Sequence, residues 1–132
     1  MVLEQGTRKT ITQTDFKRIK AECQKAIDTE YNKNKGFYHK PGTSGFAWIR
    51  FSGVATKNQL EKAGFKISKA HPTGYVIVVN LNSLYEIQPG LTQEGKAAYW
   101  QSINLKEAVA EKAAKILKEE FGIDCWAGSG LD

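Results

Sequence analysis

The sequence predicts a single α+β domain over residues 1–132, with an antiparallel sheet of about four strands packed by two long helices and one short helix. Apolar residues recur at helical spacing near both ends of the chain, and shorter runs rich in aromatic and branched side chains lie between them. A chain of 132 residues can bury a core without a metal or a disulfide, and it is too short for a multidomain enzyme.

The first part of the chain predicts one long helix, a loop and a strand. Thr12 and Thr14 are candidate N-caps for a helix over about 15–32, where apolar residues follow the helical period. Asn32 to Gly45 is rich in glycine and has no apolar periodicity, which is typical of a surface loop. Phe46 to Phe51 lies between glycines and is rich in aromatic and branched residues, so it predicts a strand.

The middle of the chain predicts a short helix and a β-hairpin. Thr56 to Ala63 is long enough for two turns, and Gly64 lies where a left-handed C-cap belongs. The runs Phe65–Lys69 and Tyr75–Val79 flank the turn sequence His71-Pro-Thr-Gly74, so we expect them to pair. The second run is more apolar, which favours the centre of the sheet.

The last part predicts a loop, a long helix and a short strand. Asn80 to Ser102 is polar and without apolar periodicity, so we expect a loop whose length is typical of functional or mobile segments. Asn104 is the expected N-cap of the final helix because Glu107 completes a capping box, and Gly122 is expected to end that helix. Cys125 to Ala127 can add the last strand.

The net charge of +5 is unevenly distributed along the chain. Residues 1–92 carry fourteen basic and seven acidic side chains, a net charge of +7, whereas residues 93–132 carry five basic and seven acidic ones, a net charge of −2. We therefore expect an anionic partner to meet the first two thirds of the chain. The sequence has three arginines, which is few for a protein that recognises a base sequence. The arginine guanidinium forms bidentate hydrogen bonds to phosphates and base edges, and the lysine ammonium does not.

The two cysteines fall in apolar positions, where a thiol usually behaves as a small hydrophobe. We expect Cys23 and Cys125 to be free and buried. Together with His39 and His71 they match no zinc spacing, so we expect neither a metal nor another cofactor.

We expect a soluble, cytoplasmic protein. No apolar run approaches the roughly 20 residues that a membrane helix needs, and Met1–Thr10 lacks the pattern of a signal peptide.

The segment Tyr31–Gly42 interleaves three lysines with three aromatic residues and a histidine. Aromatic faces stack on bases while lysines neutralise phosphates, so the segment favours a nucleotide or a single strand as ligand. A solvated basic loop whose aromatic residues cover the edge of the core would have the same composition.

The C-terminal stretch Gly128–Asp132 also favours an anion, because small residues let backbone N–H groups approach it and the carboxylate of Asp132 can accept hydrogen bonds from a ribose or a base amine. A frayed terminus is the alternative. The candidate ligand-binding residues are Lys35, Phe37, Tyr38, Lys40, Arg50 and Asp132.

The sequence does not favour an enzyme. The acidic residues lie mostly on predicted helix faces, at spacings that suit ion pairs with lysines. His39 and His71 lie in predicted loops, and the chain has no nucleophile motif beside them. We expect no catalytic residue.

A family resemblance covers residues 45–132. It rests on the segments Gly45-Phe-Ala-Trp-Ile-Arg50, Leu60–Gly64, Gly74-Tyr-Val-Ile, Gln101-Ser102, Lys106–Ala110, Gly122-Ile and Ala127–Asp132. In these the chain resembles small phage and prophage proteins that end in Gly-Ser-Arg-hydrophobic-Asp, although Gly130 replaces the arginine here. It is similar in this respect to Thoeris anti-defence proteins, which sequester cyclic ADP-ribose signals at subunit interfaces.

The resemblance implies a non-enzymatic, phage-type anti-defence protein that binds a small anionic nucleotide as a homo-oligomer in the host cytoplasm. Two other functions stay open. A nucleic-acid-binding module would lay the last helix, with Lys106, Lys112, Lys115 and Lys118, along a phosphate backbone. A protein-binding inhibitor of a host factor would need no pocket.

Overall fold

The computed structural model describes residues 10–38 and 43–131, which form five helices and four strands. In chain order these are α1 (Gln13–Lys33), α2 (Lys35–Tyr38), β1 (Gly45–Phe51), α3 (Val54–Ala63), β2 (Ser68–Lys69), β3 (Tyr75–Val78), α4 (Gln93–Gln101), α5 (Ile103–Phe121) and β4 (Cys125–Leu131). The predicted α+β class is confirmed.

The strands form one antiparallel sheet in the order β2-β3-β1-β4. The chain passes from β1 through α3 to β2, turns back into β3, and reaches β4 through α4 and α5. This order of strands and helices is the split βαβ arrangement, with α1 added before it. As predicted, the more apolar strand of the hairpin, β3, lies inside the sheet rather than at its edge.

The two faces of the sheet differ in what covers them. On β1, Ala47, Ile49 and Phe51 are buried in the core, where α5 contacts β1 and β4 and packs in turn against α1. The alternate strand residues point the other way and are exposed or half-buried. We call this second side the open face.

Helix α1 matches the predicted helix over 15–32 because its local signals agree with its packing. Thr12 is the N-cap, and it forms a capping box in which its hydroxyl accepts from the Asp15 N–H while the Asp15 carboxylate accepts from the Thr12 N–H. The predicted apolar stripe is the face that packs into the core, with Ile19, Cys23 and Ile27 fully buried.

Helix α5 begins earlier than the sequence predicts. Ser102 is its N-cap, since the Ser102 backbone is extended and its hydroxyl accepts from the Leu105 N–H. Asn104 lies inside the first turn, and Glu107 instead accepts a hydrogen bond from the Ser129 hydroxyl at 2.5 Å. The predicted capping box is therefore wrong, because the helix begins before Asn104 and Ser102 takes the N-cap position. The helix ends at Gly122 as predicted.

The predicted loop from Asn80 to Ser102 is wrong in its second half, which is helix α4, capped by Thr92. The first half of this segment is held against α1 by two hydrogen bonds. The Gln24 side-chain amide donates to the Glu86 carbonyl at 2.9 Å and accepts from the Glu86 N–H at 2.8 Å. These partners lie far away in the sequence, so local pattern gave no sign of them.

Smaller differences concern element ends. The predicted loop over residues 32–45 contains the single turn α2, and α3 starts at Val54, directly after Gly53 at φ +100°. The hairpin strands are shorter than predicted, and β4 extends to Leu131 because its glycines pair with β1.

Candidate functional site on the open face of the sheet

The predicted basic segment is only partly exposed. Lys35 and Phe37 are exposed on α2, with 56% of Phe37 accessible. Tyr38 is 2% exposed, its ring contacts Tyr31 and Phe37, and its hydroxyl donates to the Glu30 carboxylate at 3.1 Å. Burial, followed by the Glu30 carboxylate, raises the pKa of Tyr38. A base could not stack on this enclosed ring without local opening.

The C-terminal stretch is not a separate anion-binding loop where the structure describes it. Residues 128–131 belong to β4 and pair with β1. Lys40 and Asp132, two of the predicted site residues, lie outside the described residues.

Arg50 lies apart from the basic segment. It is on the open face of β1, and its Nη2 donates to the carbonyls of His71 (3.3 Å) and Thr73 (2.7 Å) in the turn before β3. Gly45, where β1 begins, is about 17 Å from Arg50 along an extended strand, and α2 packs against α1 and α4. The structure therefore does not bring Arg50 together with Lys35, Phe37 and Tyr38.

The open face instead gathers a different set of side chains. Strand register places Arg50 opposite Trp126, Trp48 between Val78 and Gly128, and Phe46 opposite Gly130. Phe46 is 52% exposed and Trp126 50% exposed, a large accessible area for aromatic residues. The strand residues on this face are Phe46, Trp48, Arg50, Ser68, Val76, Val78, Trp126, Gly128 and Gly130, and none of them is acidic.

Trp48 lies on the backbone of β4 because two glycines make room for its ring. A Cβ at Gly128 would come 2.6 Å from the Trp48 Nε1 and 2.8 Å from Cε2. A Cβ at Gly130 would lie 3.6 Å from Cη2 at the far end of the ring. One face of the indole thus rests on β4, and the ring remains half-buried rather than enclosed.

Two cations flank the aromatic rings. Arg50 follows Trp48 on the same strand face, and the Lys106 Nζ of α5 lies 5.8 Å from the centroid of the Phe46 ring. The same ammonium donates to the Gly45 carbonyl at 3.0 Å, which holds it beside the start of β1. The open face can therefore offer flat apolar rings with positive charge at two of its borders.

The sequence contained a signal for this face in the alternation of residues along β1. Phe46, Trp48 and Arg50 alternate with Ala47, Ile49 and Phe51, so both faces of this strand carry large side chains. Which set faces the core depends on where α5 packs. Trp126 gave no local signal, because it is one residue of a strand predicted to be short.

The lysines of α5 do not form one cationic stripe. The Lys112 Nζ lies 4.0 Å from the Oε1 of Glu22 on α1. A shallow cleft of about 150 Å³ beside it is lined by Arg18, Lys112 and Lys115 but also by Glu22, Glu119 and Glu120. Arg18 and Glu120 form an ion pair at 2.5 Å across the same cleft. Charges of both signs alternate on this side of α5.

The prediction that both cysteines are free and buried is confirmed. Burial raises the pKa of the Cys23 thiol to about 12 and that of Cys125 to about 11. Both thiols are thus protonated at neutral pH. In the described ranges no three His, Cys, Asp or Glu side chains are grouped so as to hold a metal ion.

Comparison with known proteins finds no family model, no curated protein and no solved structure that matches this chain. Among the described residues, no helix has the length and apolar character needed to cross a membrane.

Proposed function

We propose that this protein is a non-catalytic nucleic-acid-binding module that stacks the bases of a single strand on the open face of its sheet. The observation that carries the proposal is the shared face of Phe46, Trp48, Trp126 and Arg50, on which no strand residue is acidic. The net charge of +5 favours the same class of ligand.

The spacing of the side chains suits successive bases. Phe46, Trp48 and Arg50 follow one another at alternate positions of β1, about 7 Å apart. Aromatic rings stack with any base, and each stacked base contributes about 1–3 kcal/mol to affinity. Arg50 and Lys106 can neutralise phosphates at the borders of the aromatic rings.

A single strand fits this surface better than a duplex or an isolated nucleotide. The bases of a duplex are already stacked on each other and offer no free faces to flat rings. Small ligands are usually enclosed in pockets of roughly 300–1,000 Å³ with converging polar groups. The cleft of about 390 Å³ beside Gly74 and Tyr75 is lined by a single charged side chain, Lys69, which is little for a pyrophosphate.

The test is fluorescence anisotropy with labelled single-stranded DNA and RNA of about eight nucleotides, with duplex DNA and cyclic ADP-ribose as competitors. We expect single strands to bind and both competitors to displace them poorly. Each phosphate neutralised on a single strand contributes about −0.7 to the slope of log K against log salt. With Arg50 and Lys106 as the contacting cations, we expect a slope of about −1 to −2.

Two pairs of matched variants locate the site. Phe46→Ala and Trp126→Ala should each weaken binding by about fivefold to a hundredfold, the scale of one stacked base. Phe37→Ala and Trp100→Ala remove rings of similar exposure, 56% and 59%, from α2 and α4, and should leave affinity unchanged. Circular dichroism checks that each variant is folded.

Three outcomes would overturn the proposal. Loss of affinity in Phe37→Ala rather than Phe46→Ala would move the site to the basic segment. Tight binding of cyclic ADP-ribose without oligonucleotide binding would instead support the nucleotide-sequestering function that the family resemblance implies, and binding of neither would favour a protein partner.

A further inference from the structure

The two edges of the sheet are built differently. The edge strand β2 has two residues and carries Lys69, with Lys66 close before it. The edge strand β4 has seven residues, none of them charged and none of them proline. Its register against β1 runs without interruption from Cys125 to Leu131, so it contains no bulge. Short strands, lysines, prolines and bulges are the features that protect sheet edges from pairing, and β4 lacks them all.

The direction of the main-chain groups of β4 follows from one hydrogen bond. The Ala47 carbonyl accepts from the Val79 N–H at 2.9 Å, so the polar backbone groups of Ala47 point towards β3. Because these groups alternate sides along a strand, those of Phe46, Trp48 and Arg50 point towards β4. Their partners there are Gly130, Gly128 and Trp126.

The remaining residues of β4 direct their N–H and C=O groups away from the sheet. They are Cys125, Ala127, Ser129 and Leu131. In the described part of the chain no strand pairs with this side of β4.

We propose that β4 pairs with β4 of a second copy of this chain, antiparallel and about a two-fold axis at Gly128. A two-fold axis perpendicular to the sheet keeps both open faces on the same side and requires paired residues to share a face. Of the antiparallel registers in which paired residues share a face, the one centred on Gly128 pairs all seven residues of β4. It places Ala127 opposite Ser129 and Cys125 opposite Leu131, and each of these pairs exchanges two main-chain hydrogen bonds through the outward groups.

The same register makes the open faces complementary. It places Trp126 of one copy opposite Gly130 of the other, and diagonal to Gly128 of the other. Within one chain the Trp48 ring already rests on these two glycines. In the pair, the half-exposed Trp126 ring lies over Gly130 of the other copy, on the same face of the sheet and beside the far end of the Trp48 ring. A second copy fits because it supplies both the ring and the glycine that receives it, as a two-fold interface requires.

Pairing extends the open face into one continuous sheet across two copies. Pairing does not depend on nucleic-acid binding, since it requires only the unpaired edge of β4 and the fit of Trp126 to glycine. The two proposals can therefore fail separately, because oligonucleotide binding and association are measured on the same protein by different assays.

The test compares Ser129→Pro with Ser129→Ala by sedimentation and native mass spectrometry over a range of concentrations. Both variants lose the Ser129 hydroxyl that donates to Glu107. Only proline removes the outward N–H, and it removes no hydrogen bond between β4 and β1. We expect the native chain and Ser129→Ala to form dimers and Ser129→Pro to be monomeric at every concentration tested.

Amide exchange in the native chain supplies a second measurement if Ser129→Pro does not fold. The N–H groups of Ala127, Ser129 and Leu131 should gain protection only at concentrations where the dimer forms. A native chain that is monomeric at the highest soluble concentration, or a Ser129→Pro variant that dimerises like Ser129→Ala, would overturn the proposal. Protection of these amides in the monomer would assign the edge to a segment of the same chain instead.

Discussion

The indole of Trp48 and the backbone of Gly128 are in direct contact, so close that a Cβ at Gly128 would lie 2.6 Å from the Trp48 Nε1. The two residues are partners in the register of β1 and β4. Glycine is therefore required at this strand position for packing, although it weakens a strand by its backbone entropy. The contact fixes the orientation of one of the two indole rings on the open face.

Gly128→Ala should destabilise the fold, because the added methyl group displaces the Trp48 ring. We expect a loss of about 1–3 kcal/mol in the free energy of unfolding measured with urea, the usual cost of overpacking. Gly130→Ala is the matched control, since its Cβ would meet the ring at an ordinary contact distance of 3.6 Å. Equal effects of the two substitutions would mean that the cost arises from strand conformation and not from Trp48.

Tyr99→Phe should loosen the segment between β3 and α5. The Tyr99 hydroxyl donates to the Asp28 carboxylate and accepts from the Gln88 amide at 2.9 Å, so its loss removes two hydrogen bonds between partly buried groups, one of them to a charged carboxylate. We expect a loss of about 1–3 kcal/mol in the free energy of unfolding. Tyr75→Phe is the control, because the Tyr75 hydroxyl has no hydrogen-bond partner in the described part of the chain. A Tyr99→Phe variant as stable as Tyr75→Phe would contradict the structural role of this hydroxyl.

Ile116→Ala should destabilise the packing of α5. Ile116 is buried on the apolar stripe of the helix, and truncation of such a side chain typically costs about 2–5 kcal/mol. The neighbouring Lys115 is exposed, so Lys115→Ala should change stability by no more than about 0.5 kcal/mol. The measurement is the urea midpoint at constant m-value, and an unchanged midpoint in Ile116→Ala would place this residue outside the core.

Stability should fall in alkali, partly through the two thiols. The pKa of Cys23 is raised from 9.0 to about 12 and that of Cys125 from 9.0 to about 11, so the unfolded chain releases these protons first. The stabilisation is complete below pH 9 and is lost as the pH rises towards the pKa values of the folded state. We therefore expect the unfolding free energy of the double variant, Cys23→Ala with Cys125→Ala, to fall less steeply between pH 9 and 11 than that of the native chain. Parallel profiles of unfolding free energy against pH would contradict this.

Local signals predicted most of the secondary structure, because they act within a few residues. The capping of α1 by Thr12, the end of α5 at Gly122 and the strand around Trp48 were all predictable in this way. The start of α5 and the helix α4 were mispredicted although Thr92 and Ser102 are local N-caps, because α4 buries only Gly95 and Tyr99 and so shows no apolar period. The contacts that hold these segments, from Tyr99 to Asp28 and from Ser129 to Glu107, join residues far apart in the sequence. A local sequence pattern cannot reveal a hydrogen-bond partner that comes close only when the chain folds.

For the candidate site, less was predictable from the sequence and more depended on the tertiary structure. The sequence by itself determined the α+β class, the buried cysteines and the supply of cationic and aromatic side chains, because composition and period set these. Only the tertiary structure decided that Tyr38 turns inwards, that Arg50 stands apart from α2, and that the rings of Phe46 and Trp126 share one open face. The physical reason is that α5 and α1 cover one side of the sheet, and burial on that side leaves the alternate residues as the accessible surface.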